Sequence, residues 1–177
     1  SPSLLDVIDF VAVSPGLAPE GELAPLMPAI AERGLPLWGE IELFAQALAD
    51  LREETLYQPK VLAITGTNGK TTTTRMVSHI LQMAAFVPGM TSTDGVFVDG
   101  RLTVKGDMTG PMGARTVLRD PMVDAAVLEV ARGGLVRAGL GVNRCDVAAC
   151  LNVSADHLGL GRIDTLEQLA EIKRIPI

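Results

Sequence analysis

Val61-Leu62-Ala63-Ile64-Thr65-Gly66-Thr67-Asn68-Gly69-Lys70-Thr71-Thr72-Thr73-Thr74 decides the fold: an apolar run empties into a glycine turn, a lysine and a ladder of hydroxyls. Gly66 and Gly69 admit backbone angles and close approaches that a Cβ forbids, so successive N–H groups can be directed at one anion. Lys70 supplies a cation for the β- and γ-phosphates of a nucleotide, and the Thr71 hydroxyl stands where Mg2+ is held. A helix starting there adds the positive end of its dipole. The general pattern G-x-x-x-x-G-K-[ST] is met only in part, because Ile64 occupies its first glycine and two residues separate Gly66 from Gly69. The plainer alternative is a strand-to-helix turn with a capping threonine and a solvated lysine. The apolar run before the turn and the helix-compatible Thr73–Met83 after it favour the phosphate loop.

Towards the N-terminus, Asp9–Val13 reads as a buried strand, Leu23–Arg33 as a helix stopped by Gly34, Leu35–Trp38 as a short strand and Glu40–Leu51 as a helix. That order suggests the end of a small Rossmann-like α/β unit over residues 1–55, with Glu53–Pro59 as a polar linker. Residues 56–177 form the second unit. After the strand at Val61–Thr65 come a helix over Lys70–Met83, a hairpin around Asp99-Gly100, and a helix over Pro111–Arg119 with proline in its first turn. Asp124–Glu129 and Asp146–Asn152 are apolar runs with polar tips, the pattern of buried parallel strands whose C-terminal ends line a site. Asp164 is expected to cap a last helix over Leu166–Arg174. The expected class is α/β, a three-layer P-loop-type fold with a mostly parallel sheet.

The chain has 177 residues, 47% hydrophobic and 20% charged, which excludes disorder. A net charge of -6 argues against a duplex-binding surface, though one nucleotide needs only a local positive site. Cys145 and Cys150 read as reduced core thiols. No apolar run approaches the roughly 18 residues of a membrane span, and the start lacks a basic secretion signal, so the expected compartment is cytoplasmic, with no membrane partner. The first residue is not Met and the chain closes on Ile175-Pro176-Ile177 after a helical pattern, so truncation at both ends is expected.

Glu129 ends an otherwise apolar strand, and Ala131-Arg132-Gly133-Gly134 follows as a loop with room for a ligand. A carboxylate at a strand tip beside a phosphate loop suits Mg2+, a hard cation; pairing with Arg132 or Arg137 is the alternative. Asn152-Val153-Ser154-Ala155-Asp156-His157 lies at the next strand's tip, where His157 is a candidate metal or substrate contact oriented by Asp156. His79, inside a predicted helix, and Lys173, on the last helix, read as structural or solvated. Arg115, Arg119 and Arg132 are candidates for an anion that spacing does not choose among.

Gly66-Thr67-Asn68-Gly69-Lys70-Thr71-Thr72, the strand-end Glu129 and Asn152–His157, in that order, resemble the ATP-binding central domain of the Mur ligase family, which uses this shortened glycine loop. The resemblance implies ATP and Mg2+ as cofactors and amide formation through an acyl phosphate. Gly66, Thr67, Asn68, Gly69, Lys70, Thr71 and Thr72 would then hold ATP, Thr71 and Glu129 the first metal, and His157 a second. Lys173 matches, within one residue, a lysine that many members carbamylate. Residues 1–74, through Val13-Ser14-Pro15-Gly16 and Leu35–Phe44, look like the UDP-N-acetylmuramoyl-L-alanine:D-glutamate ligase branch, which would put Ser14 and Gly16 near a UDP diphosphate. Residues 91–174, through Gly106-Asp107-Met108-Thr109-Gly110-Pro111 and Val127–Gly134, look like the cyanophycin synthetase branch. The implied partners are ATP, an amino acid and a carboxylate substrate, either a UDP-muramoyl peptide or a cyanophycin primer, with no nucleic acid. The expected function is addition of D-glutamate to UDP-N-acetylmuramoyl-L-alanine for peptidoglycan precursors, the alternatives being cyanophycin-type ligation or a nucleotide-binding module without ligase activity. The family's C-terminal amino-acid-binding domain has no counterpart in this sequence, so the segment alone is expected to be catalytically poor.

Overall fold

A computed structural model of the chain describes residues 8–13, 21, 23–39, 42–43, 46–47, 50, 58–155, 158–159 and 163–177. In the N-terminal part, β1 (Val11–Val13) pairs in parallel with β2 (Leu37–Gly39) across α1 (Met27–Glu32). The helix is shorter than its apolar spacing predicts, because residues 23–26 form turns ahead of Pro28.

The residues from Lys60 onward hold a six-stranded sheet in the order β6-β5-β4-β7-β3-β8. Its strands are β3 (Lys60–Thr65), β4 (Pro88–Thr91), β5 (Gly95–Val98), β6 (Arg101–Lys105), β7 (Ala125–Glu129) and β8 (Val147–Cys150). β4, β7, β3 and β8 run parallel, and the β5–β6 hairpin adds an antiparallel edge, so the mostly parallel sheet is borne out. Asp99 and Gly100 turn the hairpin with φ of 50° and 74°, the positive values that an Asp-Gly hairpin turn requires.

Alternate residues of the parallel strands feed two cores, which is why these runs are apolar without a polar face. Val61, Ala63, Ala126 and Leu128 pack with Val117 and Leu118 of α3 (Pro111–Leu118) and Leu135 of α4 (Arg132–Ala138), and Ile172 of α5 (Leu166–Arg174) joins them. Ile64, Met90 and Val127 face the opposite layer, against Val77 and Leu81 of α2 (Lys70–Met83). At the lower edge, Asp124 Oδ2 accepts from Val87 N–H at 2.9 Å and Asp146 Oδ2 from Val61 N–H at 2.8 Å, pinning the strand starts.

Three sequence expectations are corrected. The Ala131–Gly134 loop is instead the start of α4, where Gly134 lies so close to Gly110 that an added Cβ would sit 2.9 Å from its Cα. Thr165, not Asp164, caps α5, in a box with Gln168. Cys145 and Cys150 are half-buried rather than fully buried, Cys145 packing against the margin of the first core.

Candidate functional site

Adjacency in the sheet brings three strand tips together. Ile64 is in register with Glu129 of β7, and Thr65 with Cys150 of β8, so the loop leaving β3 is flanked by Glu129 on one side and by Asn152 on the other. Gly66 and Gly69 take φ of 148° and 80°, and Gly69 is the N-cap of α2. The N–H groups of that helix's first turn have no carbonyl behind them, so this end of the helix carries a partial positive charge. Lys70 Nζ folds over the loop and donates to Thr67 O at 3.0 Å.

The backbone amides of Thr67 and Asn68 are already engaged within the protein. Both N–H groups donate to Asn152 Oδ1, at 3.1 and 2.9 Å, and Asn152 Nδ2 donates back to Asn68 O at 3.1 Å. In the sequence Asn152 is one member of the Asn152–His157 motif with no role of its own. The signal available was a carboxamide at the tip of the strand beside the loop.

Glu129 is 2% exposed. Its backbone N–H donates to Thr91 Oγ1 at 3.0 Å. Burial pushes its carboxyl above the usual carboxylate range; hydrogen bonds from the Thr71 hydroxyl and the Thr93 backbone and the Lys70 ammonium pull the other way, while Asp107 nearby adds to the rise. Its Oε2 has no hydrogen-bond partner among the described residues. A buried carboxylate with one oxygen open, influenced by the helix-start Thr71 and Lys70, fits a hard cation. No group of three His, Cys, Asp or Glu converges among the described residues, so a cation there would complete its shell with Thr71, phosphate oxygens and water, as Mg2+ does.

Lys173, read from the sequence as solvated, is 4% exposed. It lines a cavity of about 210 Å³ with Gly66, Thr67, Lys70, Ala131, Arg132, Gly133 and Leu169. α5 turns Leu169, Ile172 and Lys173 inward together, three and four residues apart, and that spacing carried the signal. A larger hollow of about 400 Å³ lies along residues 107–113 and reaches Arg137. His79 is exposed on α2, as expected. His157, Asp156, Ser14 and Gly16 lie outside the described residues.

The Mur ligase middle domain family model matches residues 64–175. The chain is 56% identical over 115 residues to a cyanophycin synthetase of Synechocystis sp., a match covering 65% of this chain and 13% of that protein. It is 39% identical over 159 residues to a UDP-N-acetylmuramoylalanine–D-glutamate ligase of Ralstonia nicotianae, covering 89% of this chain and 29% of that one. The solved structure of a UDP-N-acetylmuramoyl-L-alanyl-D-glutamate–2,6-diaminopimelate ligase shares the fold, with a TM-score of 0.63 at 23% identity over 95% of this chain and 38% of that chain. The chain therefore spans less than a third of the curated relatives it matches here, and by the family model over most of its length it belongs to the Mur ligase family.

Proposed function

We propose that this chain is the nucleotide-binding part of an ATP-dependent ligase that joins a carboxylate to an amine through an acyl phosphate. The observation that carries this reading is Glu129, buried with an open oxygen at the strand tip in register with Ile64, just before the loop that leads to Lys70 and Thr71 at the start of α2. In such a reaction a substrate carboxylate oxygen attacks the γ-phosphorus and the bond to the β–γ bridging oxygen breaks, releasing ADP. The amine nitrogen then attacks the acyl carbon, phosphate departs and the amine proton passes to solvent. Charge spreads over the transferred phosphoryl group, so fixed positive groups placed around it lower the barrier. Lys70 and the first-turn N–H groups of α2 are such groups, and Thr71 and Glu129 would hold Mg2+. Magnesium supplies, when bound, charge neutralisation at the terminal phosphates. His157 is proposed for a second metal, Lys173 for the family's carbamate-bearing lysine, and Ser14 and Gly16 for a substrate diphosphate.

For the carboxylate substrate, UDP-N-acetylmuramoyl-L-alanine is the first reading, supported by the similarity that extends over 89% of the chain. A cyanophycin primer is the second, supported by 56% identity across the stretch most like the cyanophycin enzymes. Calorimetry should find one Mg2+-dependent ATP site on the 177-residue chain; an absence of heat at saturating nucleotide would refute the reading. Ligand-observed NMR with UDP-N-acetylmuramoyl-L-alanine and with an aspartyl-arginine dipeptide separates the two substrates.

A further inference from the structure

We infer that Asn152 is the positioning residue of the nucleotide loop, holding Thr67 and Asn68 so that the remaining loop amides converge on phosphate. The inference rests on the nucleotide reading for its purpose, and on the hydrogen bonds for its geometry. Residues 66–69 belong to no helix or strand, so nothing regular fixes their shape. What fixes them is the segment after β8. Asn152 Oδ1 accepts from Thr67 N–H at 3.1 Å and Asn68 N–H at 2.9 Å, and its Nδ2 donates to Asn68 O at 3.1 Å. Its backbone carbonyl also accepts from Thr67 N–H, at 3.0 Å. A second rung joins Thr67 to Ser154: the hydroxyl Oγ1 accepts from Ser154 N–H at 3.0 Å and donates to Ser154 O at 3.4 Å.

The chemistry selects the residue type. Two N–H groups need an acceptor with two lone pairs and one carbonyl needs a donor, all at the reach of one short side chain. A carboxamide offers both; a carboxylate lacks the donor and a hydroxyl lacks the reach. A carboxylate would also add negative charge beside the bound phosphates. Glu129 therefore flanks the loop as a candidate metal ligand, while Asn152 flanks it as a brace that touches loop backbone, not the reacting atoms.

Two measurements on the 177-residue chain separate this inference from the reading it serves: amide exchange at Thr67 and Asn68 without nucleotide, and calorimetric affinity for Mg-ATP. Asn152→Ala should accelerate exchange at Asn68, and less at Thr67, whose N–H keeps the Asn152 backbone carbonyl, and should weaken Mg-ATP by about tenfold, the equivalent of roughly one net hydrogen bond. Asn152→Asp, which keeps both accepting bonds, should retain protection at Thr67 and Asn68 yet weaken Mg-ATP at least as much, with a smaller loss for adenosine. A merely structural asparagine would not split the two readouts in this way, and the aspartate variant keeps the test open if the alanine variant does not fold. Unchanged exchange at Asn68 in Asn152→Ala, or wild-type Mg-ATP affinity in Asn152→Asp, would overturn the inference. If the wild-type chain ignored Mg-ATP while exchange still depended on Asn152, the nucleotide reading would fall and the brace would stand.

Discussion

Glu129 and Lys70 oppose one another electrically, and the balance between them is measurable. Removal of the ammonium by Lys70→Ala should weaken Mg-ATP by about 10- to 100-fold, the range for a hydrogen bond to a charged group, and unchanged calorimetric affinity would refute the assignment. Glu129 holds its proton to a higher pH in the folded chain than in the unfolded one, whose ordinary value is 4.5. Between those two values the folded state binds more protons, so stability falls as pH rises through the window and the loss persists above it. Glu129→Gln removes that loss. In metal-free buffer its melting temperature should exceed the wild type at neutral pH, with the gap closing in acid, while its dependence on Mg2+ disappears. Equal melting temperatures at neutral pH, or an unaltered Mg2+ titration, would contradict the role.

At the level of elements, Gly89 shows why part of the fold was hidden in the sequence. Pro88-Gly89 carries the signature of a turn, yet both residues open β4, a buried strand between β5 and β7. The glycine is needed because α3 and the turn after it lie against that strand: a Cβ would stand 2.4 Å from Val117 Cγ1 and 2.9 Å from Val123 Cγ2. Gly89→Ala should cost about 1–3 kcal/mol by overpacking, read as a lower midpoint in urea. Thr165→Ala should cost about 1 kcal/mol through loss of the α5 capping box. By contrast, β3 and α2 were legible almost to the residue, because an apolar run, two glycines and a helical pattern agree there. The role of Gly134 was not legible, since its need is a contact with Gly110 that only tertiary packing reveals. The solvated reading of Lys173 fails because it weighs charge ahead of the residue's place on the inward face of α5.

At the scale of the molecule, the parallel strands all deliver their C-terminal ends to one edge, and the candidate site gathers there from residues far apart in sequence. The sequence disclosed the three motifs; it could not show that the order β7-β3-β8 sets Glu129 and Asn152 on opposite flanks of one loop. Nucleotide binding should therefore slow amide exchange at residues 65–71, 129–132 and 151–154 together and leave the β5–β6 hairpin unchanged. Protection confined to the loop alone would argue against a shared site. Among the described residues no helix is long and apolar enough to cross a membrane. The chain spans only 13% of the cyanophycin synthetase and 29% of the glutamate ligase it resembles, so we propose that ligation needs parts of the whole protein beyond this unit. The most direct measurement is a crystal structure with a non-hydrolysable ATP analogue and Mn2+ in place of Mg2+. The anomalous peak should lie between Thr71 Oγ1 and the Glu129 carboxylate, touching a terminal phosphate oxygen; manganese bound away from both side chains would contradict the account.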